Sequence, residues 1–303
     1  MQLMSRRLTC AAVVATFARA AGCSSSSSPL PDNQQPSASA TPPRIIAASA
    51  GVVSGTSPTS DGRIWVVAGN QKVKTLTEIR VSDGEVLNIA PLDNSATSVA
   101  ASVNGPLAVG LGTPATGAVE FRSGGSGALL GTLPLAAPVE GIAVGDDGTT
   151  FYVLNGSHGN VANDNVTVVN SQTRQVQKTI PAPPASVAVQ PTPDQSSVYV
   201  LTKFGQVNEI SVATGRIESQ FNVNMIGVGL AMAPSGQTLF VLGGPADARA
   251  IARIDLQTDS QDSAVPAAGS SVAIAPGVDD RQVYDFVGTA RIGNVQIIQL
   301  PSA

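Results

Sequence analysis

The chain is poor in charge, aromatic rings, histidine and cysteine. Of its 303 residues, 13% are charged and 4% aromatic, with 17 Lys+Arg against 21 Asp+Glu, one His and two Cys. The acidic excess leaves no basic footprint for a phosphate backbone and argues against a nucleic-acid partner. One His and so few Cys argue against a zinc centre of nitrogen and sulfur ligands. No uninterrupted apolar run reaches the roughly 18 residues of a membrane-spanning helix. Glycine (30), proline (21) and hydrophobic residues (43%) are plentiful, which describes a core-forming chain broken by many turns.

Residues 1–22 read as a secretory signal: Arg6 and Arg7 form a charged start, Leu8 to Phe17 an apolar stretch, and Ala20-Ala21-Gly22 a small-residue exit. The run Ala20-Ala21-Gly22-Cys23 resembles the lipobox of bacterial lipoproteins, with Ala20 where that family prefers Leu. The resemblance implies lipid attachment at Cys23 and an extracytoplasmic chain anchored to a bacterial membrane. Cys10 leaves with the signal, so no intrachain disulfide is expected and stability must come from packing. Residues 23–43, mostly Ser, Pro, Gln and Ala, are too polar to offset the cost of ordering. They form a flexible tether of about 25 Å.

From residue 44 to 303 the chain repeats itself. An inner strand opens on a small residue: Gly51, Ser98, Gly141, Ser186, Gly229 and Ser271. A turn follows each, as in Asp61-Gly62, Asp147-Gly148 and Ser235-Gly236, and then a strongly apolar strand such as Phe151-Tyr152-Val153-Leu154 or Leu239-Phe240-Val241-Leu242. Third strands centre on Ile79, Phe121, Val169, Ile210, Ile254 and Ile298, spaced by 41 to 48 residues. That period fits one four-stranded antiparallel unit per repeat, too small to bury both its faces alone. The pattern predicts an all-β, six-bladed β-propeller. The last repeat lacks a fourth strand, and Arg44 to Ser49 matches the missing piece, so an N-terminal strand is expected to close the last blade.

The repeats Tyr152-Val153-Leu154-Asn155 with Val166-Thr167-Val168-Val169-Asn170, and Tyr199-Val200-Leu201-Thr202 with Thr214-Gly215, resemble those of the YVTN family of β-propellers. The resemblance spans about residues 44 to 300 and implies the fold. Its motif positions are turn and core residues, so it carries no activity with it.

Propellers place ligand chemistry where the inner strands start. Among those starts and the residues before them (Ala50, Thr97, Glu140, Ala185, Val228, Ser270), only Glu140 is charged. Glu140, with Ser98, Ser186 and Ser271, forms the candidate ligand contact at the channel mouth. One carboxylate falls short of the six to eight oxygens a calcium ion takes, so no metal, cofactor or catalytic set is expected. His158 sits in a polar loop, Asn155 to Asn165, in which Asn163-Asp164-Asn165 reads as hydrated surface. Gly124-Gly125-Ser126-Gly127 joins two strands with no following Lys, which describes a hairpin and not a phosphate loop. Trp65 is assigned to the core or a blade interface, and Asp247, Arg249 and Arg253 to a polar patch. The expected function is that of a monomeric, membrane-anchored binding scaffold for a protein, peptide or glycan at the cell envelope. The alternative is a channel-mouth enzyme of the lactonase or hydrolase type.

Overall fold

The computed structural model describes residues 42–103, 105–156 and 164–301. The stretch read as a signal, Cys23, the expected tether up to residue 41, and His158 lie outside the described residues. Strand β1 (Arg44–Ala47) comes first. Blade 1 is β2 (Val52–Gly55), β3 (Arg63–Gly69), β4 (Lys74–Arg80) and β5 (Val86–Leu92); blade 2 is β6 (Ala96–Ala101), β7 (Leu107–Gly112), β8 (Gly117–Arg122) and β9 (Leu129–Leu135). Blade 3 is β10 (Val139–Val144), β11 (Thr150–Asn155), β12 (Asn165–Asn170) and β13 (Gln175–Pro181); blade 4 is β14 (Ser186–Pro191), β15 (Ser197–Thr202), β16 (Gln206–Ser211) and β17 (Ile217–Asn222). Blade 5 is β18 (Gly227–Met232), β19 (Thr238–Gly243), β20 (Ala250–Asp255) and an outer strand broken into β21 (Ser260–Gln261) and β22 (Val265–Pro266). Blade 6 is β23 (Ser271–Pro276), β24 (Gln282–Gly288) and β25 (Gly293–Gln299), with β1 as its fourth strand. The described residues contain no helix.

This is the expected six-bladed propeller, and its closure is the expected one. Arg44 pairs with Ile297 and Ala47 with Asn294, which buries Ile46 and leaves blade 6 complete. The hairpins from third to outer strand turn at Asp83-Gly84 in blade 1 and Thr214-Gly215 in blade 4. Gly84 and Gly215, at φ 78° and 70°, take up the left-handed backbone that glycine adopts without strain. The break in the blade 5 outer strand was not anticipated. Asp262 leaves the ladder between β21 and β22, and its carboxylate forms an ion pair with Arg253, Oδ2 lying 2.8 Å from Nε.

A hydrophobic core lies between each pair of successive blades among the described residues. In β3 the side chains alternate: Ile64, Val66 and Ala68 pack on blade 6, while Trp65 and Val67 pack on blade 2. With both faces covered, a second strand reads as a continuous apolar run and not as an alternation. One residue of each second strand faces the inner strand at an equivalent register position. Five of them are Val66, Val109, Val153, Val200 and Val241; in blade 6 it is Asp285. All six are fully buried.

Asp285 is thus a carboxyl in the apolar interface between blades 5 and 6. Ser271 Oγ donates to its Oδ2 at 2.8 Å, while Oδ1 has no hydrogen-bond partner among the described residues. Burial pushes the group up to about 6, against the opposing hydrogen bonds from Ser271 and the Ala268 backbone. No charged side chain contributes to the shift. Between pH 4 and pH 6 the folded chain keeps this proton while the unfolded chain loses it, so stability falls as pH rises through that window. Above it the deficit levels off at about 3 kcal/mol. Asp285→Val restores the residue of the other five blades. It is expected to stabilise the ring by about 1–3 kcal/mol at pH 8, with the gain shrinking toward pH 4, because the lost acceptor for Ala268 offsets part of the benefit. Urea denaturation of both forms at pH 4 and pH 8 measures this; an equal difference at the two pH values would refute it.

Candidate functional site

The inner strands β2, β6, β10, β14, β18 and β23 surround a central channel of about 720 Å³. Each carries a β-bulge at the same place, one residue into its pairing with the second strand. The bulged residues are Val53, Thr97, Glu140, Val187, Val228 and Val272. All are half-buried and line the channel. A bulge re-aims a side chain that the ladder would otherwise turn into the sheet, and six of them form a ring at one mouth. The next ring is uniformly small: Ser54, Ser98, Gly141, Ala188, Gly229 and Ala273.

The chemistry of this surface is simple. Its charged residues are Glu140 at the bulge mouth and Asp146 and Asp147 at the other end; none of the lining residues is Lys, Arg or His. Thr97 Oγ1 is tied to the Val139 carbonyl at 2.8 Å. Glu140 has an acidic neighbour: a Cβ on Gly156 would meet Asp164 Oδ1 at 2.5 Å and Glu140 Cγ at 3.4 Å, so the two acids flank this glycine. Asp164 is 4% exposed, and its Oδ2 accepts the Ser186 backbone N–H at 2.8 Å, joining the upper edge of blade 3 to the start of blade 4. Here the structure corrects the expectation of a hydrated surface stretch, because a contact 22 residues away decides the burial of Asp164. Asn163 lies outside the described residues.

Of the candidate mouth residues, Glu140 and Ser98 line the channel and occupy successive rings. Ser186 and Ser271 lie one residue before the bulge, equivalent to Ala96 and Val139, two positions out of step with Ser98. Both are buried; the Ser186 hydroxyl donates to the Pro183 carbonyl (2.6 Å), and the single Ser271 hydroxyl proton is shared between the Ala268 carbonyl (2.7 Å) and Asp285 Oδ2 (2.8 Å), which fixes the loops entering β14 and β23. Trp65 is fully buried at the interface of blades 1 and 2, as expected. Gly124 to Gly127 fall in the hairpin joining β8 to β9. Arg249 donates to the Gly244 carbonyl and Arg253 pairs with Asp262, so these cations serve the fold of blade 5.

The fold and site define a six-bladed β-propeller with a mildly acidic central channel. No family model matches the chain, and no curated protein sequence does. Among solved structures it is similar to hydrazine synthase of Kuenenia stuttgartiensis, with a TM-score of 0.62 and 14% identity, covering 80% of this chain and 75% of that one. At that identity the likeness is one of fold.

The two rings give a packing prediction. A Cβ on Gly141 has its nearest neighbour at 3.8 Å, whereas one on Gly110, behind the ring, would lie 2.4 Å from Val139 Cγ1. Gly141→Ala is expected to leave stability within about 0.5 kcal/mol, and Gly110→Ala to cost about 1–3 kcal/mol. Denaturant midpoints of the two variants, each against the parent, decide it.

Proposed function

We propose that the protein is a binding module at a bacterial cell envelope, a YVTN-type propeller anchored through a lipid on Cys23, whose ligand enters the bulge mouth of the channel. The observation that supports this is the mouth itself, where one carboxylate, Glu140, stands among four valines and a threonine on a closed ring of blades. Such a surface suits an apolar group with one polar or cationic feature. Ser98, in the ring below, adds a hydroxyl. The loops of a rigid propeller display contacts without moving, and a tethered module searches the volume around its anchor. The lactonase or hydrolase alternative draws its support from the same corner, where Asp164 lies beside Glu140 across Gly156.

Crosslinking of the lipidated protein in its native envelope, read by mass spectrometry, tests this against Cys23→Ala and Glu140→Gln forms. One partner is expected to be captured reproducibly, lost with Cys23→Ala and captured about tenfold less with Glu140→Gln. Absence of any partner, together with stoichiometric metal and turnover of an ester or lactone by the purified protein, would overturn the binding function in favour of the enzyme.

A further inference from the structure

Every blade turns from its second strand to its third on the bulge face, and from its first strand to its second on the opposite face. The two sets of hairpins differ in charge. Those on the opposite face carry Asp146, Asp147, Asp194, Asp279 and Asp280, besides the paired Asp61, against the one cation Arg281. The five bulge-face hairpins among the described residues carry Lys72, Lys203, Arg249 and Arg291 against the one acid Asp247. Other acids of this face are Asp93, near Lys74, and Glu140 with Asp164 toward the axis.

Three of these cations stand next to a large apolar side chain in water. The turns of blades 1 and 6 match. Asn70 N–H donates to the Val73 carbonyl at 2.9 Å and Thr289 N–H to the Ile292 carbonyl at 2.8 Å, so Lys72 and Arg291 are third in their turns, and Val73 (61% exposed) and Ile292 (54%) fourth. In blade 4 the Lys203 ammonium lies 5.3 Å from the ring centroid of Phe204, which is 66% exposed. Hairpin tips ordinarily carry Gly, Asn, Asp, Ser or Pro, so these apolar tips serve no turn.

Backbone hydrogen bonds gather the tips into two feet. Gly51, between β1 and β2, donates to the Thr289 carbonyl at 2.8 Å and accepts from Gly69 N–H at 3.1 Å, which joins the hairpins of blades 6 and 1. Val223 N–H donates to the Gly205 carbonyl at 2.9 Å and Gly227 N–H to the Lys203 carbonyl at 3.1 Å, which joins the blade 4 hairpin to the connector bearing Ile226 (56% exposed). In a ring of six, blade 1 faces blade 4, so the feet stand on either side of the channel mouth.

We propose that the bulge face docks on an anionic lipid bilayer through these two feet. Exposed apolar side chains mark an interaction surface, and a cation beside each adds attraction to acidic headgroups. The tips are divided between two separate feet, and Lys, which protein interfaces deplete, occurs on both; a flat anionic layer meets both at once. On the opposite face Val278, 70% exposed, is followed by Asp279 and Asp280, whose charge such a layer repels. The expected tether leaves β1 at that opposite face, but residues 23–43 extend up to about 70 Å, against about 23 Å for a seven-residue strand, so an anchor at Cys23 reaches the same bilayer. The docking face is independent of Glu140 and of any occupant of the channel.

Phe204→Trp and Val278→Trp chains, each changed at an exposed tip that leaves the core intact, are mixed with vesicles of phosphatidylcholine and phosphatidylglycerol whose brominated acyl chains quench an indole that touches them. Trp65 is 0% exposed and gives a constant background. The Phe204→Trp chain is expected to lose about half of its added emission and the Val278→Trp chain none. With phosphatidylcholine alone, or with Lys72→Gln and Arg291→Gln added to Phe204→Trp, that quenching is expected to fall about fivefold. A lipid anchor by itself holds the ring at the vesicle without choosing a face, so equal quenching at the two positions would leave the anchor standing and overturn the docking face. No quenching at position 204, or quenching there that neither phosphatidylcholine alone nor the two Gln substitutions reduce, would overturn it as well. So would a protein that covers Phe204 where vesicles do not.

Discussion

The burial of both faces of every second strand is the constraint on which the ring depends. Val66 presses on blade 6 and Trp65 on blade 2 from adjacent positions of one strand, and the same division recurs around the ring. A blade alone would leave one of these faces in water. Stability therefore accrues as neighbours dock, and a closed ring is the arrangement that leaves no face over. β1 follows from the same demand. Without it, β25 would end blade 6 as an unpaired edge and Ile46 would not cover the seam to blade 1.

Much of this was legible in the sequence because it rests on residue type. Phe151 to Leu154 and Leu239 to Leu242 are too apolar for strands with a solvent face, and Gly84 and Gly215 mark turns by their backbone freedom. The six-fold spacing and the complementary N-terminal strand follow from these signals. The bulges did not show. An inserted residue changes which side chains face the axis without changing what the residues are, so Ser186 and Ser271 align by eye with Ser98 although they sit behind the mouth. Asp164 was equally hidden, since its burial is made by the Ser186 backbone in the next blade and not by its polar sequence neighbours.

The small second ring explains why a channel exists at all. Inner strands converge on the axis, and a Cβ on Gly229 would already lie 3.5 Å from Ile274 Cγ1 in the next blade. Larger side chains at Ser54, Ser98, Gly141, Ala188, Gly229 and Ala273 would push the inner strands apart or plug the lumen. Bulging then supplies what a regular strand cannot. It turns a full-sized side chain toward the mouth while the small residue behind it keeps the strands close. The chemical character of the mouth is thereby set by six positions, five of them uncharged.

A repeat protein carries its own internal standard, since equivalent sites in six blades face the same packing problem. At an exposed site a departure from the common residue costs little and says little. At a buried one, five identical answers define the packing optimum, and a sixth that differs has a free-energy cost to offset. Glu140 belongs to the first kind: half-buried at the rim, it keeps contact with water and adds charge at little cost to the ring. Asp285 belongs to the second. Its place among five valines is unfavourable, and the compensation visible is its bonds to Ser271 and Ala268, which fasten the loop delivering β23 to the mouth. The two acids therefore act at different levels, Glu140 as part of the surface of the channel mouth and Asp285 as a clamp behind it that holds one sixth of that surface in position.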